Sequence, residues 1–120
     1  MKDIATENLV IPDGVTMIGE YAFTKQPSLK TVSLPASIKT IGSYAFQNCY
    51  NLEKVTFRQD ANVAESMTAV STYTFAGCRS LKEIVNLPST ITSLGDYAFS
   101  GCHALTKMNS LDGADVINLP

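Results

Sequence analysis

Three cysteines, one histidine and five tyrosines are the residues in this chain with chemistry to offer. Cys49, Cys78 and Cys102 raise two readings, a thiolate metal site and a disulfide. Tetrahedral zinc takes four ligands converging on one point, usually supplied as close pairs, and no Cys-x-x-Cys occurs here. Three cysteines cannot all pair within one chain, so no disulfide framework follows. His103 comes directly after Cys102, which brings together the residue types of a Cys–His nucleophile. Such a site also needs a carboxylate or amide to orient the imidazole, and no pattern places one. Asp112 and Asp115 suggest a calcium loop, but the EF-hand spacing of acidic ligands at positions 1, 3 and 5 with a closing Glu is absent. Asp112-Gly113 is a turn signal instead. There is no phosphate-binding glycine loop and no His-Glu-x-x-His. We expect no metal, no cofactor and no enzymatic activity.

What positions these residues is an internal repeat. Tyr21-Ala22-Phe23 recurs as Tyr44-Ala45-Phe46, Tyr73-Thr74-Phe75 and Tyr97-Ala98-Phe99, with Phe-to-Phe intervals of 23, 29 and 24 residues. Three residues after each Phe stand Gln26, Cys49, Cys78 and Cys102, and three further on Leu29, Leu52, Leu81 and Leu105. Val32, Val55, Ile84 and Met108 follow at the same step. Ahead of each aromatic pair, Val15 and Ile18 precede Gly19, Ile38 and Ile41 precede Gly42, Met67 and Val70 precede Ser71, and Ile91 and Leu94 precede Gly95. Pro12, Pro35 and Pro88 open three of the four units.

The spacing has a physical meaning. Leu29, Val32 and Leu34 suit a short strand with alternate side chains turned into a core. Pro35 ends that strand, because proline cannot donate to a continuing ladder. Ile38 and Ile41 return the chain along the far side, and Gly42 permits a tight bend. Ser43 to Cys49 suits one or two helical turns, with Ala45 and Cys49 on one face. No unit can bury its apolar side alone, so neighbours must stack.

The stretches Ile41-Gly42-Ser43-Tyr44-Ala45-Phe46-Gln47-Asn48-Cys49 and Leu94-Gly95-Asp96-Tyr97-Ala98-Phe99-Ser100-Gly101-Cys102 resemble the BspA-type leucine-rich repeat of bacterial and protozoan surface proteins. The resemblance runs from about residue 9 to 111. It implies an α/β leucine-rich-repeat fold: a right-handed solenoid of about four repeats, with short parallel strands on the concave face. The helical turns, α or 3-10, then lie on the convex side. It also implies recognition or adhesion, and an extracellular or cell-surface location. We divide the chain into one domain, 1–120, with repeats at roughly 9–31, 32–54, 55–83 and 84–107, and a partial repeat or C-terminal cap at 108–120.

The departures from the pattern are individual to this chain. Gln26, with Lys25 and Pro27, makes the first unit read as an N-terminal cap with a polar outer end. The segment Arg58-Gln59-Asp60-Ala61-Asn62-Val63 carries about six extra residues and must loop out of the stack. Ile84 to Leu87 and Met108 to Leu111 are one residue longer than Val32 to Leu34, which predicts a bulge.

Phase now decides the chemistry. Coils in a stack sit ~4.8 Å apart, so the cysteines form an inward column of small apolar thiols. His103 falls on the surface beside a turn. The tyrosines form a half-buried column on the convex side, and the phenylalanines are core. Strand alternation turns Thr31, Ser33, Lys54, Thr56, Glu83, Lys107 and Asn109 to the concave face, which is polar, mixed in charge and poor in the anchors of tight interfaces. The inserted loop, with Arg58 and Asp60, is the alternative binding surface.

Composition limits the rest. Hydrophobic residues are 45% and charged residues 17% of the 120, an ordinary folded balance. With a net charge of −2, an acidic pI near 5.2 and scattered basic residues, nucleic acid is not an expected partner. No stretch approaches the ~18 apolar residues of a membrane span, so no membrane insertion is expected. Met1 to Asn8 lacks the apolar centre of a signal peptide, which leaves location open between an intracellular protein and a piece of a secreted one. The favoured function is a non-catalytic protein-binding or adhesion module with a protein, extracellular-matrix or host ligand. The alternative is a structural spacer, or a segment that self-associates through the open ends of the solenoid.

Overall fold

The computed structural model describes residues 5–64 and 66–110, with side chains to residue 106. From residue 111 on, the expected C-terminal cap and the Asp112-Gly113 turn lie outside the described residues. Four coils are stacked along one axis. Strands β1 (Asn8–Val10), β3 (Thr31–Leu34), β5 (Lys54–Phe57), β7 (Glu83–Leu87) and β9 (Lys107–Ser110) form a parallel sheet in the order β1-β3-β5-β7-β9. Its register follows the repeat: Thr31 faces Lys54, Val32 faces Val55 and Leu34 faces Phe57. On the far side β2 (Met17–Ile18) pairs with β4 (Thr40–Ile41), and β6 (Ala69–Val70) pairs with β8 (Ser93–Leu94). Between the two sides lies a core of stacked columns that includes Leu29, Leu52 and Leu81, Val32, Val55 and Ile84, and the rings of Phe46 and Phe75. Pro35 and Pro88 each follow the last strand residue, as their missing N–H requires. The expected bulge is present in β7, where register shifts between Ile84 and Leu87 and Asn86 takes a φ of 59°.

Two expectations are corrected. The segments Ser43 to Cys49 and their counterparts are not helical turns; the described residues contain no helix. The cause is visible at the tyrosines: Tyr21, Tyr44, Tyr73 and Tyr97 all have φ between 58° and 63°, a left-handed value that no helix accommodates. The alternate N–H groups that a helix would direct along its own axis instead donate to the next coil. Tyr21, Phe23 and Lys25 donate to the carbonyls of Ser43, Ala45 and Gln47 at 3.1, 2.8 and 2.8 Å, and the pattern repeats in the next two joints. The fold is therefore a parallel-strand β-solenoid of about four turns rather than an α/β arrangement.

Gly42, secondly, does not serve a bend. Its φ is not positive, and a Cβ there would lie 2.5 Å from the backbone nitrogen of Glu20 in the preceding coil. Gly95 has the same relation to Thr72 N at 2.5 Å. The glycine column allows coils to approach, not the chain to turn. In the third coil Ser71 takes this position, and there the far-side ladder is interrupted: β4 and β6 are not paired. The longer sheet and the tyrosine turns continue across that joint.

Candidate interaction surface

The outward face of the five-stranded sheet is built by register. Asn8, Thr31, Lys54, Glu83 and Lys107 form one row across the strands, and Val10, Ser33, Thr56 and Val85 the next. Thus the structure brings together Thr31, Ser33, Lys54, Thr56 and Glu83. Lys107 and Asn109 belong to β9, whose side chains lie outside the description. Within the first row the Thr31 hydroxyl donates to Asn8 Oδ1 at 2.8 Å, and Lys54 Nζ stands 3.8 Å from Glu83 Oε1.

A third row runs along the strand entrances. Glu7, Lys30, Glu53 and Lys82 are joined through their backbones, each N–H donating to the preceding coil's carbonyl at 2.7, 2.7 and 2.8 Å. Lys30 also pairs with Glu7 at 3.3 Å. Charge alternates from coil to coil in this row, and Lys54 and Glu83 continue the alternation in the row beside it. Exposed pairs of this kind contribute little to stability, about 0–1 kcal/mol each. They also bear on recognition: among the described residues of this face no run of one sign exists for a polyanion to follow.

The alternative surface behaves differently. Arg58 does not project from its loop. Its Nη1 donates to the Ser33 carbonyl at 3.0 Å and to Ser33 Oγ at 2.8 Å, and its Nη2 reaches the Ile11 carbonyl at 2.5 Å and Asp13 Oδ1 at 3.0 Å. The side chain thus clamps the third coil to the second and first. Asp60 is exposed and accepts a hydrogen bond from the Asn62 N–H at 2.9 Å, an Asx turn that shapes the loop. Beneath the loop, Pro35, Phe57, Val63 and Pro88 border a groove of about 420 Å³.

The cysteines sit inside, and all three are free thiols. Each thiol points across a joint to a backbone carbonyl: Cys49 Sγ to Phe23 O at 3.1 Å, Cys78 to Phe46 O at 3.0 Å and Cys102 to Phe75 O at 3.1 Å. The hydrogen bond between Cys49 and Cys78 acts on the two in opposite directions: it lowers the Cys49 thiol and, with burial, raises Cys78 above its ordinary range. Burial raises Cys102 to about 11. Cys78 and Cys102 therefore remain protonated donors near neutral pH, unlike an activated nucleophile. No group of three or more His, Cys, Asp or Glu suited to a metal ion exists among the described residues, and His103 is exposed at its turn. Gln26, at the cysteine position of the first coil, is buried rather than facing out as a polar end, and its Nε2 lies 3.4 Å from the Thr24 carbonyl. The thiol ladder was missed from sequence, although a signal was present: cysteine occupies this position only in units that have a preceding Phe carbonyl to receive it.

The tyrosines stack face to face, Tyr21 on Tyr44 at 4.7 Å, Tyr44 on Tyr73 at 4.9 Å and Tyr73 on Tyr97 at 5.1 Å between centroids. Their faces are occupied by one another, so the inner two offer only ring edges. A separate surface contact places the Arg79 guanidinium 4.3 Å from the Tyr50 ring centre. No helix among the described residues is long and apolar enough to cross a membrane.

Comparison with known proteins agrees with this architecture. The family model for the BspA type leucine-rich repeat region matches residues 1–118 in six copies. A solved leucine-rich repeat protein from T. pallidum is 36% identical with a TM-score of 0.70, over 83% of this chain and 44% of that one. One from Bacteroides ovatus is 30% identical with a TM-score of 0.68, over 86% of this chain and 24% of that one. A leucine-rich cell surface protein from Faecalibacterium prausnitzii is 29% identical with a TM-score of 0.56, over 88% of this chain and 32% of that one. The chain thus spans about a quarter to under a half of the length of these solved proteins. No curated protein matches it.

Proposed function

Because the chain belongs to the BspA-type leucine-rich repeat family, we propose that it is a non-catalytic recognition module that presents the outward face of its five-stranded sheet to a protein ligand, in an extracellular or cell-surface setting. The observation that carries this reading is the register of that face. Five parallel strands hold Thr31, Ser33, Lys54, Thr56 and Glu83 in fixed rows, a rigid and wettable surface of short polar side chains. A ligand for it is itself polar and mixed in charge, such as an extended segment of a matrix or host protein. The F. prausnitzii neighbour, a cell surface protein, supports the location. Few large anchors stand on the face, so affinity per repeat is modest and grows with the number of coils engaged.

The test is an array of matrix and host proteins probed with the chain and with the charge-swapped pair Lys54→Glu with Glu83→Lys. The swap keeps an ion pair but reverses the local pattern. Specific binding lost on the swap, with unchanged thermal stability, is the expected result. Binding that survives it overturns the assignment of this face.

A second reading, a spacer within a longer solenoid, is favoured by one observation. Arg58, the largest cation near the alternative loop surface, is used internally on Ile11, Ser33 and Asp13. The spacer reading predicts no specific ligand on the same array.

A further inference from the structure

We propose that Tyr50 and Arg79 form a carboxylate-binding site at the corner before the strand entrances, and that it anchors an acidic segment of a protein partner. This deepens the recognition reading above, on which it rests only for the use made of the site, and it names an anchor that the polar sheet face lacks.

A comparison of the chain's own repeats is the first observation. Directly after Gln26, Cys49, Cys78 and Cys102 stand Pro27, Tyr50, Arg79 and His103. All four are exposed, whereas Gln26, Cys49 and Cys78 before them and Leu29, Leu52 and Leu81 after them are buried. Four unlike residues at one repeat position mean that coil packing dictates none of them. Tyr50 is also the one tyrosine of five that stands outside the stacked ladder. Tyr and Arg are side-chain types that carry much of the energy at interfaces, and here they meet on adjacent coils.

The second observation is the state of the guanidinium. The chain has two arginines. Arg58 uses its donors inside the stack, on Ser33, Ile11 and Asp13. Arg79 lies 4.3 Å over the Tyr50 ring centre, a contact that uses its charge and none of its N–H groups. Among the described residues its side chain has no ion pair or hydrogen-bond partner, so the planar fork that matches a carboxylate is open. The backbone beneath is fixed: the Arg79 N–H donates to the Gly77 carbonyl at 2.9 Å, and the Leu81 N–H to the Cys78 carbonyl at 3.1 Å. Beside Tyr50, the Asn51 amide donates to the Pro27 carbonyl at 2.7 Å. A side chain already restrained by a ring loses less freedom on binding.

Charge is the third. Lys82, three residues beyond Arg79, is exposed and has no ion pair among the described residues, unlike Lys30 and Lys54. Counting Glu53 in the preceding coil, the corner keeps a positive balance in a chain of net charge −2. A small surplus and one open fork suit a single carboxylate better than a long polyanion.

The probes are a labelled, blocked tetrapeptide of glutamate and its glutamine counterpart. Fluorescence anisotropy reads affinity, and the NMR signal of the Arg79 Nε–H reads the place. The glutamate peptide should shift that signal saturably and bind at least about tenfold more tightly than the glutamine one. Arg79→Gln should weaken binding at least about tenfold, and Arg79→Lys nearly as much, since lysine keeps the charge but not the fork. Tyr50→Ala should weaken it about two- to fivefold. Lys39→Gln, which removes the same charge on the far side of the stack, should bind as the unaltered chain does. Melting curves should be unchanged in all four. No binding up to about 10 mM peptide, equal binding of the glutamine peptide, or an Arg79→Lys chain that binds normally overturns the proposal. So does a heparin fragment that displaces the peptide while Arg79→Gln and Lys39→Gln weaken it alike, which marks a general attraction to anions. An array of matrix and host proteins that returns no ligand, with glutamate binding intact, leaves this site standing without the sheet face. Array binding that Arg79→Gln leaves untouched overturns the anchor and leaves the sheet face standing.

Discussion

The guanidinium of Arg58, carried by the third coil, donates to the carbonyl of Ile11 in the first, 47 residues earlier in the chain. In a stack where most contacts join adjacent coils, this one side chain spans three. It crosses Ser33 on the way and ends against Asp13. The joint it braces is also where Ser71 replaces glycine and the far-side ladder between β4 and β6 is interrupted.

Arg58→Ala is therefore expected to cost about 2 kcal/mol, since it removes several hydrogen bonds made by a charged donor to part-buried acceptors. Asp13→Ala should cost under about 1 kcal/mol, because Asp13 is largely exposed. Urea denaturation of the two variants checks this, and equal losses would show that the ion pair, not the backbone clamp, carries the effect.

Substitutions along the glycine column should divide by coil. Gly42→Ala places a Cβ against backbone that cannot move without separating two coils, and should destabilise by about 2 kcal/mol or more. Gly19→Ala meets nothing and reduces the freedom of the unfolded chain, so its stability should be unchanged or raised by up to about 1 kcal/mol. Thermal melts of dilute samples distinguish these outcomes.

Tyr44 gives an inverted expectation. Its side chain is held between two rings, while its backbone has a φ of 63°. Tyr44→Ala loses both stacking contacts, each worth about 0.5–1.5 kcal/mol beyond area, and keeps the strained backbone. Tyr44→Gly loses the same contacts but relieves about 1 kcal/mol of left-handed strain. Glycine should thus be the more stable replacement by denaturant midpoint, contrary to its usual rank; an alanine variant equal or superior to it would refute the strain argument.

The Cys102 thiol gives a pH dependence with a definite sign. Its pKa rises from the ordinary 9.0 to about 11 in the folded chain, through burial. Below pH 9 both states hold the proton and nothing is lost. Between about pH 9 and 11 the unfolded chain ionises while the folded one does not, so stability falls as pH rises. The difference in unfolding free energy between the unaltered chain and Cys102→Ala should shrink across that window. A difference that is flat with pH would refute burial as the controlling influence.

Sheet-side architecture was legible from sequence because its causes are local. Period, strand alternation and the stop at Pro35 follow from side-chain polarity and a missing N–H, and the β7 bulge from one surplus residue. The turns were not legible. Ala45 and Cys49 four apart satisfy a helical pattern, and nothing in their types reveals that Tyr44 is left-handed. That conformation is held by N–H groups bonding to carbonyls 28 residues away, partners that local propensity does not see. The candidate face divides in the same way: alternation placed Thr31, Ser33, Lys54, Thr56 and Glu83 outward, but the use of Arg58 as a clamp depended on where the loop returned.

What the sequence alone determined is that this chain repeats, which residues share a column, and that the cysteines are interior, because in-phase copies of one unit leave a single way to bury their common apolar side. What only the tertiary structure decided is the use made of each column across the joints between coils. The thiols bond to phenylalanine carbonyls, and the glycines admit a neighbouring backbone. These are contacts between residues 22 to 32 positions apart, fixed by how closely two coils can approach, and that distance is a property of the stack rather than of any one unit.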